Sequence, residues 1–140
     1  MVDHSGKNFP RPTIETEKYW QGCRNHELLI QKCSECNHYQ FYPRIMCTRC
    51  SSEQVKWERT SGQGKVISFT IIRRPISKAY KAETPYVVAL IKLEEGPVMM
   101  SNIIQCDPET VKVGMKVEVE FEDWSDEISI PKFRPINEGV

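Results

Sequence analysis

The sequence predicts a mainly β protein built from a short N-terminal helix, a four-cysteine ribbon and a five-stranded barrel of OB type. Three observations carry this expectation. Cys33, Cys36, Cys47 and Cys50 form two C-x2-C pairs ten residues apart. Between residues 65 and 130, five segments alternate or run apolar over strand lengths and are separated by Gly and Pro turns. A short helical element starting at Asp107-Pro108 falls between the third and fourth of these strands, which is the layout of an OB-type barrel; a simple five-stranded meander is the alternative.

Each element has a local reason. Residues 1–12 contain Pro10 and Pro12 and little apolar content, as a flexible or draped arm would. From Thr13 to Arg24, Thr16, Tyr19, Trp20 and Cys23 recur at i, i+3, i+4 and i+7, with Thr13 or Thr16 as the cap. Gly22 costs roughly 1 kcal/mol relative to Ala, so the helix is expected to be short. Leu28–Lys32 leads into the first cysteine pair, Tyr39–Pro43 returns toward the second, and Val55–Glu58 closes the ribbon. Ser61-Gly62-Gln63-Gly64 turns the chain into the barrel. Lys65–Ile72 is expected to place Ile67, Phe69 and Ile71 on one face, and the denser run Tyr86–Leu93 suits a central strand. Glu94-Glu95-Gly96-Pro97 is a hairpin turn before the strand over residues 98–104. Asp107 reads as an N-cap with Pro108 at the first helical position. Lys116–Glu122 alternates strictly, so one face is buried and the other solvated. Ile128–Ile130 is the last strand, expected to end where Pro131 cuts the ladder. The expected units are 1–12, 13–60 and 61–140.

Two thiolates three positions apart on a tight turn can face one metal ion. Two such turns supply the four soft ligands that tetrahedral zinc prefers. A rubredoxin-type iron site uses the same ligand set and stays open, as do two disulfides, which the lack of a secretion signal disfavours. With cysteine at every position no ligand site is left for an activated water, so the metal is expected to be structural. A segment of about 30 residues cannot bury enough apolar surface to fold alone, which is the physical reason for a metal there. Cys23 and Cys106 stand in apolar contexts and are expected to be buried reduced thiols.

Composition narrows the function. The chain has 140 residues, 39% of them hydrophobic, and 19 Lys+Arg balance 19 Asp+Glu. The longest uninterrupted apolar run, Val87–Ile91, is far short of the roughly 20 residues that span a bilayer. The polar N-terminus lacks the apolar stretch of a signal peptide, so a cytoplasmic protein with no membrane partner is expected. Zero net charge argues against holding nucleic acid chiefly by phosphate attraction. Locally the charge is uneven. Lys65 to Lys81 contains Lys65, Arg73, Arg74, Lys78 and Lys81 and no acid, a charge of +5, whereas Asp107 to Glu127 has eight acids and two lysines, a charge of −6. The basic segment lies mostly in a barrel connection of the kind OB-folds use for ligands. His4, His26 and His38 sit in no nucleophile or base constellation, and the Glu118-Glu120-Glu122 alternation is a solvated strand face, so no catalysis is expected.

The order of these features resembles the DUF35 family. The resemblance rests on the C-x2-C-x10-C-x2-C ribbon with Tyr42-Pro43-Arg44, Trp57, Ser61-Gly62-Gln63-Gly64-Lys65-Val66, the strand from Thr84 to Ile91, Glu95-Gly96, Gly114-Met115-Lys116-Val117 and the closing Phe133-Arg134-Pro135. It covers residues 13 to 135. Ser34 and Thr48 replace the frequent Ala or Pro inside the knuckles, and Asn37 and Ser51 replace Gly, without touching the ligands. The resemblance implies a rubredoxin-like zinc ribbon joined to an OB-fold. It also implies an accessory partner, without catalysis of its own, of acyl-CoA-metabolising enzymes such as thiolases, hydroxymethylglutaryl-CoA synthase, hydratases and steroid side-chain enzymes. On this expectation Tyr19 and Trp20 dock the partner, and Arg73, Arg74, Lys78 and Lys81 contact the phosphates of CoA or acyl-CoA. A single-stranded nucleic-acid-binding role, with Tyr80, Tyr86 and Phe133 as stacking platforms, is the alternative.

Overall fold

The computed structural model describes residues 4–136. The ends of the expected arm and barrel units, 1–3 and 137–140, lie outside the described residues.

A turn at Thr13–Thr16 precedes helix α1, Glu17–Arg24. The Thr16 hydroxyl accepts from the Thr13 N–H at 2.9 Å and so points back into the turn, leaving the helix without a side-chain cap. Thr16, Tyr19 and Cys23 face inward as their spacing predicts, and Trp20 is half-buried. The ribbon follows as β1 (Leu29–Cys33), β2 (Tyr39–Gln40) and β3 (Val55–Arg59), a three-stranded antiparallel sheet in the order β2-β1-β3. Gly22 owes its place to packing. A Cβ there would lie 2.8 Å from Leu29 Cδ1 and 3.0 Å from the Glu27 carbonyl oxygen, so only glycine lets α1 close on the entry to β1.

The barrel strands are β4 (Gln63–Ile72), β5 (Tyr86–Leu93), β6 (Val98–Ile103), β7 (Lys116–Asp123) and β8 (Ser129–Pro135), closed in the order β4-β5-β6-β8-β7 with β7 pairing back to β4. This closure is the OB arrangement and excludes the meander. Between β6 and β7, Pro108–Thr110 forms one 3-10 turn, and Asp107 Oδ1 accepts from the Glu109 N–H at 2.9 Å. β5 sits between two full ladders and alternates, with Val87, Ala89, Ile91 and Leu93 buried.

Two strands depart from their expected patterns. In β4 the register to β5 shifts between Val66 and Ser68, so Ile67 is a bulge residue. An extra residue reverses the inward phase. Val66 is buried on one side of the bulge, Phe69 and Ile71 pack against the core on the other, and Ile67 is 42% exposed rather than sharing their face. Pro131 does not end the last strand, because β8 pairs with β7 along its whole length, including Phe121 opposite Pro131. β8 meets β6 only at the parallel Ile103–Phe133 bridge, so one edge of β8 near Pro131 needs no N–H.

The core is continuous. Tyr19, Cys23, Leu28 and Ile30 from the helix and ribbon cluster with Val66, Val87, Ile91, Val117 and Phe133 from the barrel. Residues 4–9 lie along the barrel: Lys7 is buried with its ammonium 3.1 Å from Glu83, Phe9 meets Trp124 edge-on, and the Asn8 N–H donates to the Tyr80 hydroxyl.

Replacing Gly22 by Ala is expected to destabilise the protein by about 1–2 kcal/mol, the overpacking cost outweighing the gain in helix propensity. Urea melts of the two proteins check the sign, and a more stable variant would refute the packing role.

Candidate metal centre and ligand surfaces

Each cysteine pair sits on a turn with the same construction. The Asn37 N–H donates to the Cys33 carbonyl at 3.0 Å and the Ser51 N–H to the Cys47 carbonyl at 2.9 Å. Asn37 and Ser51 then take φ of 62° and 65°, the left-handed conformation that lets each knuckle fold back. Backbone N–H groups also point at sulfur: that of Cys36 at Cys33 Sγ (3.5 Å), those of Arg49 and Cys50 at Cys47 Sγ (3.4 and 3.5 Å). These donors favour thiolates. The Cys36 N–H is the main reason that Cys33 falls to about 7, helped by that of Glu35 and opposed by burial. Burial pushes Cys47 up, yet the Cys50 and Arg49 N–H groups outweigh it and the thiol lies below its ordinary value.

The four sulfurs lie within 4.8 Å of one another, with Cys33–Cys50 and Cys36–Cys47 at 3.6 Å. A disulfide requires about 2.05 Å. The edge of a tetrahedron with metal–sulfur bonds of about 2.3 Å is about 3.8 Å, so the cluster fits one four-coordinate ion. Cys23 is a fully buried thiol outside this cluster, pushed up to about 12 by burial, whereas Cys106 is only half-buried at the barrel surface.

The ribbon has a second fastening that spacing did not reveal. Gln31 and Gln40, opposite each other on β1 and β2, are both buried. Gln40 Nε2 donates to Gln31 Oε1 at 2.7 Å; Gln31 also accepts from the Arg44 N–H and donates to the Arg44 carbonyl, both at 2.8 Å. Gln40 Oε1 accepts from the Thr48 N–H at 2.9 Å. Two amide side chains thereby bind the loop carrying the second knuckle to the sheet carrying the first.

The remaining expected site residues separate in space. Arg73, Arg74, Lys78 and Lys81 are exposed on the β4–β5 connection, whose second half is a 3-10 helix over Lys78–Glu83, and Arg73 is ion-paired with Glu109. Lys65 lies at the other end of β4 and is no part of this loop. Tyr19 is 2% exposed, its ring 4.8 Å from Trp20, 5.5 Å from Phe41 and 5.9 Å from Tyr42. Its area is spent joining helix to ribbon, which leaves Trp20 as the docking candidate of the pair. The turn before the helix and the ribbon expose other large apolar groups instead: Ile14 is 96% and Ile45 62% exposed, and both border a shallow groove with Trp57.

Phe133 is fully buried and offers no stacking platform. Tyr80 and Tyr86 line a cavity of about 490 Å³ with Glu83, Glu122, Trp124 and Lys132. Glu122 is not simply solvated: Trp124 Nε1–H donates to it at 2.8 Å, Lys132 Nζ approaches at 3.1 Å, and His4 stands 4.0 Å away, stacked on Trp124. Lys132 and the buried Lys7 both also reach Glu83. Carboxylates held beside this cavity make it a poor seat for a polyanion. His26 is exposed, 2.9 Å from Asp123 and stacked on Phe121.

Fold and site together define a zinc-ribbon protein of OB-fold type. Residues 20–56 match the profile of the ChsH2 rubredoxin-like zinc ribbon domain, and residues 57–122 that of the ChsH2 C-terminal OB-fold domain. The chain is 36% identical over 129 residues to a DUF35 domain-containing scaffold protein of Pyrococcus furiosus, covering 88% of this chain and 94% of that protein. It belongs to the DUF35 family. It is also 32% identical over 127 residues to the 3-oxo-4,17-pregnadiene-20-carboxyl-CoA hydratase alpha subunit of Mycobacterium tuberculosis, covering 89% of this chain but 40% of that subunit. Among solved structures, the chain superposes on one of the Ltp2-ChsH2(DUF35) aldolase with a TM-score of 0.82 and 28% identity, covering 90% of this chain and 98% of that one. No helix among the described residues is long and apolar enough to cross a membrane.

Burial raises Glu122, but the Trp124 and Lys132 hydrogen bonds and the charges of Lys132 and Lys7 leave it below its ordinary value. A carboxylate lowered in the folded state contributes stability that is present above its unfolded pKa, about 4.3, and is lost as pH falls through the folded value. Glu122→Gln is therefore expected to lower stability at neutral pH and to flatten the loss below about pH 4.3, as read from melting temperature against pH.

Proposed function

We propose that this chain is a non-catalytic scaffold that docks on an acyl-CoA-using enzyme of thiolase, hydroxymethylglutaryl-CoA synthase or hydratase type. Its ribbon is held by one structural zinc on Cys33, Cys36, Cys47 and Cys50. The observation that carries this reading is the superposition on the DUF35 chain of an aldolase assembly over nearly its full length, supported by a scaffold-named relative of matching length. Family membership favours zinc over iron for the four thiolates.

Docking falls on the helix and ribbon. Ile14, Ile45 and the half-buried Trp20 and Trp57 give that end an apolar surface, and aromatic and aliphatic anchors of this kind dominate interface energy. The exposed loop with Arg74, Lys78 and Lys81, and Arg73 once released from Glu109, supplies cations for the phosphates of CoA.

Metal analysis of the purified protein is expected to return one zinc per chain. A strong chelator should abolish the ribbon's ordered signals before those of the barrel, because barrel strands close on one another without the metal. One iron per chain, or unchanged ribbon signals after metal removal, would refute this part.

Capture from the native extract tests the docking. Recovery of an acyl-CoA enzyme is expected, with Ile14→Asp/Ile45→Asp cutting it by about tenfold or more. Arg74→Ala/Lys78→Ala/Lys81→Ala should weaken CoA binding by the assembled complex while leaving capture intact. Recovery of nucleic-acid enzymes, or tight salt-sensitive binding of a single-stranded oligonucleotide without any CoA signal, would overturn the proposal.

A further inference from the structure

Residues 4–12 belong to no helix or strand, so no sheet ladder holds this arm to the barrel. Side chains seat it instead, and they reach two separate elements. On the β4–β5 connection, the Lys7 ammonium lies 3.1 Å from Glu83, the Asn8 N–H donates to the Tyr80 hydroxyl at 3.1 Å, and Gly6 lies beside Ala79. Just beyond β7, His4 stacks on Trp124, Phe9 meets the same indole edge-on, and the Lys7 ammonium is 5.3 Å from its ring centroid. The Tyr80 ring is 5.8 Å from that ammonium, so one buried cation reaches aromatic groups of both elements.

The 3-10 segment Lys78–Glu83 needs such a hold. None of its residues is buried, and it has no side-chain cap. A segment that buries so little opens at small free-energy cost unless something else fixes it. Ala79, Tyr80 and Glu83 all meet the arm. A buried ammonium in turn needs its partners, which are Glu83 on the segment and His4 Nδ1 at 2.9 Å within the arm. Each side therefore orders the other. Tyr80, Glu83, Glu122 and Trp124 also wall the cavity of about 490 Å³, so the arm spans from one wall of it to the other.

We propose that residues 4–9 are a releasable strap. Seated, they tie the Lys78–Glu83 segment to the end of β7; released, they free that segment, with Lys78 and Lys81 on it, while the barrel stays closed. Release without unfolding follows from where the strap is held. None of its residues belongs to the apolar core cluster, and the five barrel strands close on one another without it. Release would leave the charged lining of the cavity as Glu83 and Glu122 against Lys132, so the seated strap also balances that charge.

Hydrogen exchange resolved by residue on the zinc-loaded full chain tests the strap. In the unaltered protein the amides of Lys7, Asn8, Tyr80 and Thr84 are expected to exchange faster than those of β5, which is paired on both edges. Lys7→Met keeps the bulk and removes the charge. It should speed all four by about tenfold or more, the scale of one charged hydrogen bond, and leave β5 unchanged. Tyr80→Phe, made on the segment, should speed Lys7 in turn, because coupling is reciprocal. Faster exchange at Lys7 and Asn8 alone in Lys7→Met would make the arm a passive tail and overturn the proposal. Loosening of β5 in step with the arm, or arm amides as slow as β5 in the unaltered protein, would overturn it as well.

Discussion

Everything at the N-terminal end of this protein depends on four sulfur atoms held within 4.8 Å of one another. A ribbon with a two-residue second strand has no apolar interior of its own. Cross-linking its two knuckles through one ion replaces the burial it lacks, and the N–H groups aimed at Cys33 and Cys47 prepare the thiolates that such an ion requires. The Gln31–Gln40 pair extends the same constraint, since two buried amides are acceptable only when their partners, the backbone of Arg44, Met46 and Thr48, stay in register.

With the ribbon fixed, its first strand becomes a platform. Leu28 and Ile30 face the barrel core together with Tyr19 and Cys23 of the helix, and Gly22 permits the close approach that makes this one core rather than two. The apolar groups left outside, Ile14 and Ile45, border a shallow groove with Trp57.

The neutral composition conceals a deliberate distribution of charge. Much of the acidic stretch is neutralised in place: Glu109 by Arg73, Glu118 by Arg134, Glu122 by Lys132. The arm brings Lys7 to Glu83 beside the same cavity, burying an ammonium only where a carboxylate receives it. Lys65, Lys92 and Lys116 meet in one register across β4, β5 and β7.

By itself the sequence determined what local spacing and turn chemistry can encode. The C-x2-C repeat defines the thiol cluster, Asp107-Pro108 the 3-10 turn, and unbroken alternation the strands at Tyr86–Leu93 and Lys116–Glu122, because each is set by residues a few positions apart. Asn37 and Ser51 were legible as knuckle residues, though only the backbone shows both in the left-handed region. The tertiary structure alone decided what depends on pairing. The bulge at Ile67 is a mismatch between two strands, the tolerance of Pro131 follows from how little of β8 meets β6, and the burial of Tyr19 follows from the ribbon folding over it. Lys65 was legible as the start of its strand. Register, which no single segment carries, set it between Lys92 and Lys116.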